Sequence, residues 1–187
     1  MRKTKHIPWG DLTELIEKMK ADNNRLHLLA TIQSLLGLRI GDVLTLTWKD
    51  LGSDELTITE GKTSKTRKMR VTKGLQEAVA EEFKKNYHAR ITDVIFMNKH
   101  KTGAISISYI NRALKKAFKK YEMDVDQVST HAFRKSFCYR ILESNDFSDK
   151  AIFTISRLLN HSTISTTMLY LNLHEREENL MYESLSL

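Results

Sequence analysis

The chain has 187 residues, 41% of them hydrophobic, and 30 Lys and Arg against 23 Asp and Glu give a formal net charge of +7. That length supports one domain with a real core, and the balance excludes bulk disorder. One cysteine, Cys138, excludes an internal disulfide and a Cys-rich zinc site, and no apolar run is long enough to span a bilayer. Pro8, Trp9, Gly10 and Asp11 stand where a signal peptide would need its apolar stretch, so the expected location is the cytoplasm, with no membrane partner.

Helical signals dominate the chain. Pro8 suits a first helical turn, and Leu12, Leu15, Ile16 and Met19 follow at helical spacing. Residues 25–36 predict a second helix with Leu26, Leu29, Ala30, Ile32 and Leu36 inward, ended by Gly37. "GLRIGDVLTLTW" reads as a break and another helical turn. Residues 56–59 and 67–71 predict two strands joined by the hairpin tip "EGKTSKT". A helix over 74–86 follows, then "DVIFM" as a short third strand. Ser108 is the expected cap of a helix to about 121, with Ile110, Leu114, Ala117 and Tyr121 inward. Further helices are expected over 130–144, from Asp149 to Leu159, and after a Ser162 cap. An amphipathic piece with Leu180, Met181 and Leu185 closes the chain. The fold class is therefore α+β, mainly α, with one small antiparallel sheet.

Several familiar patterns fail. "EGKT" resembles the end of a phosphate-binding loop, but Leu56 stands where that loop needs glycine, and a strand rather than a helix follows. His161 and His174 lack partners at metal-ligand spacing. Neither a metal nor another cofactor is expected.

Five cationic or imidazole groups share one chemical theme. Arg39 follows a helix-ending Gly-Leu, with Asp42 three residues on to orient it. His131 and Arg134, at i and i+3 on a helix, share a face. His161 precedes Tyr170 by nine residues, and Lys62 sits at the hairpin tip. Together they suit a phosphate, whose oxygens arginine binds bidentately. Phosphoryl transfer without a metal needs such charges and a nucleophile. Tyr170 is available, since neighbouring cations favour a phenolate. Basic residues also crowd 62–73 and 112–120. The positive surplus fits a polyanion partner, nucleic acid being the commonest, and Lys65, Arg67, Lys68, Arg112, Lys115 and Lys116 are the candidate contacts, the alternative being a solvated face. In one straight helix, His161 and Tyr170 would lie about 13 Å apart in rise and about half a turn apart in direction. His161 is therefore expected before the helix, with the Tyr170 segment free to stand away from the pocket until something positions it.

The ordered set Arg39, Lys62, His131-x-x-Arg134, His161 and Tyr170 resembles the tyrosine recombinases, the phage-integrase-type site-specific recombinases. "GLRIGDVLTLTW" is similar to the family's first arginine box, "EGKTSKTRKMRV" to its lysine hairpin and "STHAFRKSF" to its second box. "LLNHSTISTTMLYLNL" is similar to its nucleophile segment. The resemblance covers nearly the whole chain and implies the DNA breaking-rejoining enzyme fold. It implies that Tyr170 attacks a scissile phosphate to give a 3′-phosphotyrosyl link and a free 5′-hydroxyl. Arg39, Arg134 and His161 would hold the non-bridging oxygens. Lys62 would be the general acid, His131 would assist proton transfer at the tyrosine, and Asp42 would support the site. Double-stranded DNA carrying a recombination site is the implied partner. A homotetramer on DNA, exchanging the tail at about 174–187, is the implied assembly, with a monomer when DNA is absent.

The chain departs from the family pattern in three places. Asn160 stands where glycine is usual, Lys135 where histidine is frequent, and Asp42 where glutamate is commoner. The catalytic-domain pattern fills residues 1–187 and begins within the first dozen. The family's N-terminal core-binding domain is therefore expected to be absent, and DNA binding to be weak and salt-dependent. Two other functions use the same residues differently. One is DNA relaxation of the type IB topoisomerase kind; the other is a non-catalytic DNA-binding regulator with a vestigial site.

Overall fold

The structure, a computed structural model, describes residues 4–22, 25–59, 61, 66–123 and 128–185. The chain divides into two compact units, Met1–Phe137 and Cys138–Leu187. Helix α6 (His131–Glu143) contributes residues to both.

The first unit holds α1 (Trp9–Ala21), α2 (Leu26–Leu36), the single turn α3 (Ile40–Val43), strands β1 (Glu55–Thr59) and β2 (Thr66–Arg70), α4 (Lys73–Lys85) and α5 (Ile107–Lys120). The α2 helix is its hub and packs on α1, α4 and α5. It can do so because it is apolar on most faces: Leu26, Leu28, Leu29, Ala30, Ile32 and Leu36 are all buried. Trp48 stacks at a tilt on Phe83, and Phe118 on Phe133, extending one continuous core.

The hairpin pairs Glu55 with Arg70 through Thr59 with Thr66, antiparallel. Leu56 and Ile58 alternate inward into the core, and Arg67 and Met69 lie half-buried on the matching positions of β2. A lone hairpin is marginal in water; this one is held by its buried apolar face. "DVIFM" forms no strand. Two isolated bridges, Thr47 with Val94 and Met97 with Ala104, are all the pairing it makes among the described residues. The short apolar run is buried at Ile95 and Phe96 as irregular chain rather than as a sheet member.

Hydroxyl caps fix where the helices begin. Thr72, Ser106, Ser148 and Thr163 each accept a hydrogen bond from the backbone N–H three residues on. Two expectations are corrected here. The cap of α5 is Ser106, not Ser108, and that of α8 is Thr163, not Ser162. Several Ser and Thr sit together in each stretch, and the residue that caps has extended backbone, with φ and ψ of −76° and 148° at Ser106 and −142° and 157° at Thr163. On α5, Phe118 is buried with Ile110, Leu114 and Ala117, while Tyr121 is only half-buried.

The second unit contains the remainder of α6, then α7 (Asp149–Leu158), α8 (Ile164–Leu171) and α9 (Leu173–Ser184). Here α7 packs on α8 and α8 on α9. Cys138, Leu142, Ile152, Ile155, Leu159 and Leu171 are buried, so the thiol has the structural role its apolar neighbours imply. No helix among the described residues is long and apolar enough to cross a membrane.

Candidate active site

Each unit places its own share of the expected residues. In the first, α2 ends at Gly37, whose φ of +60° is the left-handed conformation glycine tolerates best. A β-carbon at this position would also lie 2.5 Å from the ring of Phe137. Two constraints therefore demand glycine here. The turn it makes presents Arg39, which is extended and partly exposed, as the residue before α3. From α6, the Nη1 of Arg134 donates to the carbonyl of Gly37, two residues before Arg39. Arg134 is 3% exposed, and this bond fixes the direction of its guanidinium. His131 opens α6 one turn earlier with an exposed side chain.

Asp42 lies one turn beyond Arg39 and is buried. Its Oδ1 accepts the backbone N–H of Gly61 at 3.2 Å. The carboxylate thus reaches from the arginine turn to the base of the hairpin tip. Its other oxygen is buried and takes no hydrogen bond among the described residues. Lys62 and Lys65 lie outside the described residues. Lys68 is exposed and pairs with Glu55 at 2.8 Å, which holds its ammonium pKa above the usual lysine value. Arg112, Lys115 and Lys116 are exposed along α5.

In the second unit, the decisive feature is the end of α7. The N–H of His161 donates to the carbonyl of Ser156, and that of Asn160 to Arg157, both at 3.0 Å. This pair of bonds is a Schellman motif, and it requires a left-handed residue at position 160. Asn160 supplies it with φ of +56°. Asparagine is the side chain that best replaces glycine there, which accounts physically for one departure from the family pattern. His161 then sits before α8, as expected. Its Nδ1 lies 2.9 Å from the hydroxyl of Thr167, a residue with no exposure. The ring of His161 meets that of Tyr170 edge to face, with centroids 5.7 Å apart. The half-turn problem is thus solved by taking the histidine out of the helix.

Sequence reasoning missed two supports. Thr167 holds the imidazole, and it lies within the threonine-rich stretch before Tyr170, where only its position on the inner face sets it apart. Tyr139 is the other, and in the sequence it stands out only as a neighbour of Cys138. Its hydroxyl donates to the carbonyl of Leu171 at 2.7 Å, tying down the residue after Tyr170. Burial pushes the Tyr139 phenol pKa up, and the Arg176 charge offsets this in part. Arg176 in turn stacks on Phe147, which contacts Tyr139 edge-on.

The sequence profile of the Phage integrase family matches residues 8–177. The chain belongs to that family. Members of this tyrosine recombinase family cleave and rejoin DNA. The chain is 28% identical to the probable integrase/recombinase YoeC of Bacillus subtilis, over 92% of this chain and 91% of that one. It is 30% identical to the tyrosine recombinase XerC of Xanthomonas axonopodis pv. citri, over 79% of this chain but 47% of the relative. The XerA recombinase superposes with a TM-score of 0.74 at 20% identity, covering 98% of this chain and 66% of that one. The Tn1549 transposon integrase, solved with a circular intermediate DNA, gives 0.73 at 18% identity over 91% of this chain and 62% of that one. These likenesses establish the fold, mainly helical with one antiparallel pair of strands. The chain thus spans about half to two thirds of several relatives and nearly all of YoeC.

Proposed function

We propose that the chain is a site-specific DNA recombinase that cleaves and rejoins strands through a 3′-phosphotyrosyl intermediate. One observation carries this reading above the rest: His161 is held beside Tyr170 by a capped turn and by Thr167. In the proposed reaction the Tyr170 oxygen bonds to the scissile phosphorus and the bond to the 5′-oxygen breaks. Arg39, Arg134 and His161 face the non-bridging oxygens, where positive charge and N–H donors favour the transition state. The leaving 5′-oxygen takes its proton from Lys62, and His131 receives the proton of the phenol. Rejoining runs the same step backwards, so bond count and charge are conserved. Asp42 keeps the lysine-bearing hairpin near the arginine turn through its bond to Gly61.

The proposed partner is double-stranded DNA carrying a recombination site, bound in the cytoplasm by four protomers. The exposed Leu180, Met181, Tyr182 and Leu185 of the last helix and its end support exchange of that segment between protomers. Lys65, Arg67, Lys68, Arg112, Lys115 and Lys116 are the proposed backbone contacts.

The test is to sequence DNA trapped on the protein in cells and rebuild that site as a nicked suicide substrate. The expected result is a covalent adduct that Tyr170→Phe abolishes. An adduct that persists in Tyr170→Phe, or no adduct with any recovered DNA, overturns the reading. Relaxation of supercoiled plasmid without a preferred site would point to topoisomerase chemistry instead.

A further inference from the structure

A groove of about 1000 Å³ opens at the far end of α2 from Arg39, and none of the expected catalytic residues lines it. The α2 helix has 11 residues, which at about 1.5 Å each puts roughly 16 Å between the groove and the arginine turn. The groove is walled by the end of α4, the α4–α5 connection and the start of α5. Its apolar side is Trp48, Ile95 and Phe96, all buried. Five Lys and Arg side chains line it against one acid, Asp93.

Three of its features point to one kind of occupant. The first is the turn carrying Lys99, His100 and Lys101. Asn98 Oδ1 accepts the backbone N–H groups of His100 at 3.0 Å and Thr102 at 3.2 Å, and the Asn98 N–H donates to Gly103 at 2.8 Å. The two lysines are thus presented on a preformed turn, and among the described residues no carboxylate pairs with either. The second is Arg90, whose side chain stays exposed although Asp93 lies 3.4 Å away. The third is a pair of aromatic rings. Tyr87 is 92% exposed and Tyr109 54%, both on the rim of the same groove.

Cations that track phosphates, beside open aromatic faces, are the elements with which proteins hold unpaired nucleic-acid strands. A duplex presents base edges in its grooves and would leave both ring faces uncovered. An acidic peptide would use the lysines but not the rings. We propose that this groove binds a single-stranded stretch of nucleic acid. Lys99, Lys101 and Arg90 take its phosphates, and Tyr87 and Tyr109 stack on its bases. The assignment does not rest on the chemistry of Tyr170. Strand exchange would nonetheless supply such a stretch, because a cleaved strand must part from its complement before it is rejoined elsewhere.

Titration of the whole chain with a fluorescein-labelled oligothymidylate, and with a duplex of matched length, tests the proposal. Tyr87→Ala/Tyr109→Ala is expected to weaken oligothymidylate binding about tenfold or more, because each stacked base contributes substantially, and to leave duplex binding unchanged. Lys99→Ala/Lys101→Ala is expected to make the salt dependence shallower by about 1.4, at about 0.7 per single-strand phosphate. All four residues are exposed, and thermal melting checks that the variants fold. The proposal is overturned by no oligothymidylate binding, by binding that ignores the tyrosine pair, or by equal losses for oligothymidylate and duplex. These outcomes are independent of covalent trapping on Tyr170, so either proposal can fail alone.

Discussion

Position 160 asks for a backbone shape before it asks for a side chain. Its left-handed φ lets two N–H groups close the end of α7 and deliver His161 to Thr167 and Tyr170. Asn160→Gly should therefore keep both stability and covalent adduct formation near those of the unaltered chain. Asn160→Val puts a β-branched residue where left-handed backbone costs about 1–2 kcal/mol. That should lower Tm by about 2–8 °C for a chain of this size and cut adduct yield, both read on the same preparation. Equal behaviour of the two variants would separate His161 placement from this turn.

Among the elements, α1 and α5 are joined through Asp22, which accepts from both Lys120 and Tyr121. The Asp22 carboxyl pKa is held below the usual value, first by Lys120 and then by Tyr121. Burial, then the hydrogen bond to Asp22, pushes the Tyr121 phenol up to about 12. The folded chain therefore keeps that proton at pH values where the unfolded chain has lost it. This share of stability is complete below about pH 10 and is lost as pH rises toward 12. Tyr121→Phe should flatten the fall of Tm over that interval. One late-titrating tyrosine should also vanish from the ultraviolet titration. The same scale shows what the sequence disclosed. Helical periodicity was plain wherever one face met a core, as in α1, α2 and α5. The turn chemistry was not, because neighbouring hydroxyls compete for each cap and only the chain's path selects one. "DVIFM" has the composition of a strand but makes only isolated bridges, to Thr47 and Ala104, among the described residues.

For the molecule as a whole, the surplus of +7 is the long-range term. Duplex affinity should fall steeply with salt, by a slope of about 0.9 for each phosphate neutralised. Replacing Arg112, Lys115 and Lys116 with Ala should lower that slope by about 2.7 if each meets one phosphate; an unchanged slope would remove α5 from the duplex interface. The set proposed for catalysis could be picked out in the sequence because its residue types are chemically unusual together and their order is distinctive. The supporting residues were not. Tyr139, Thr167 and Gly61 work through contacts between elements distant in sequence or through one backbone N–H, and ordinary residue types announce neither.

The bond from Arg134 to the Gly37 carbonyl has a thermodynamic consequence. A free arginine side chain gives up about 2 kcal/mol of rotamer entropy when it is immobilised. Here folding has already settled that cost, because the guanidinium is aimed by protein backbone before any nucleic acid arrives. In the proposed reaction, incoming phosphate would then meet a donor that need not be recruited, and its attraction would be left for the reacting strand.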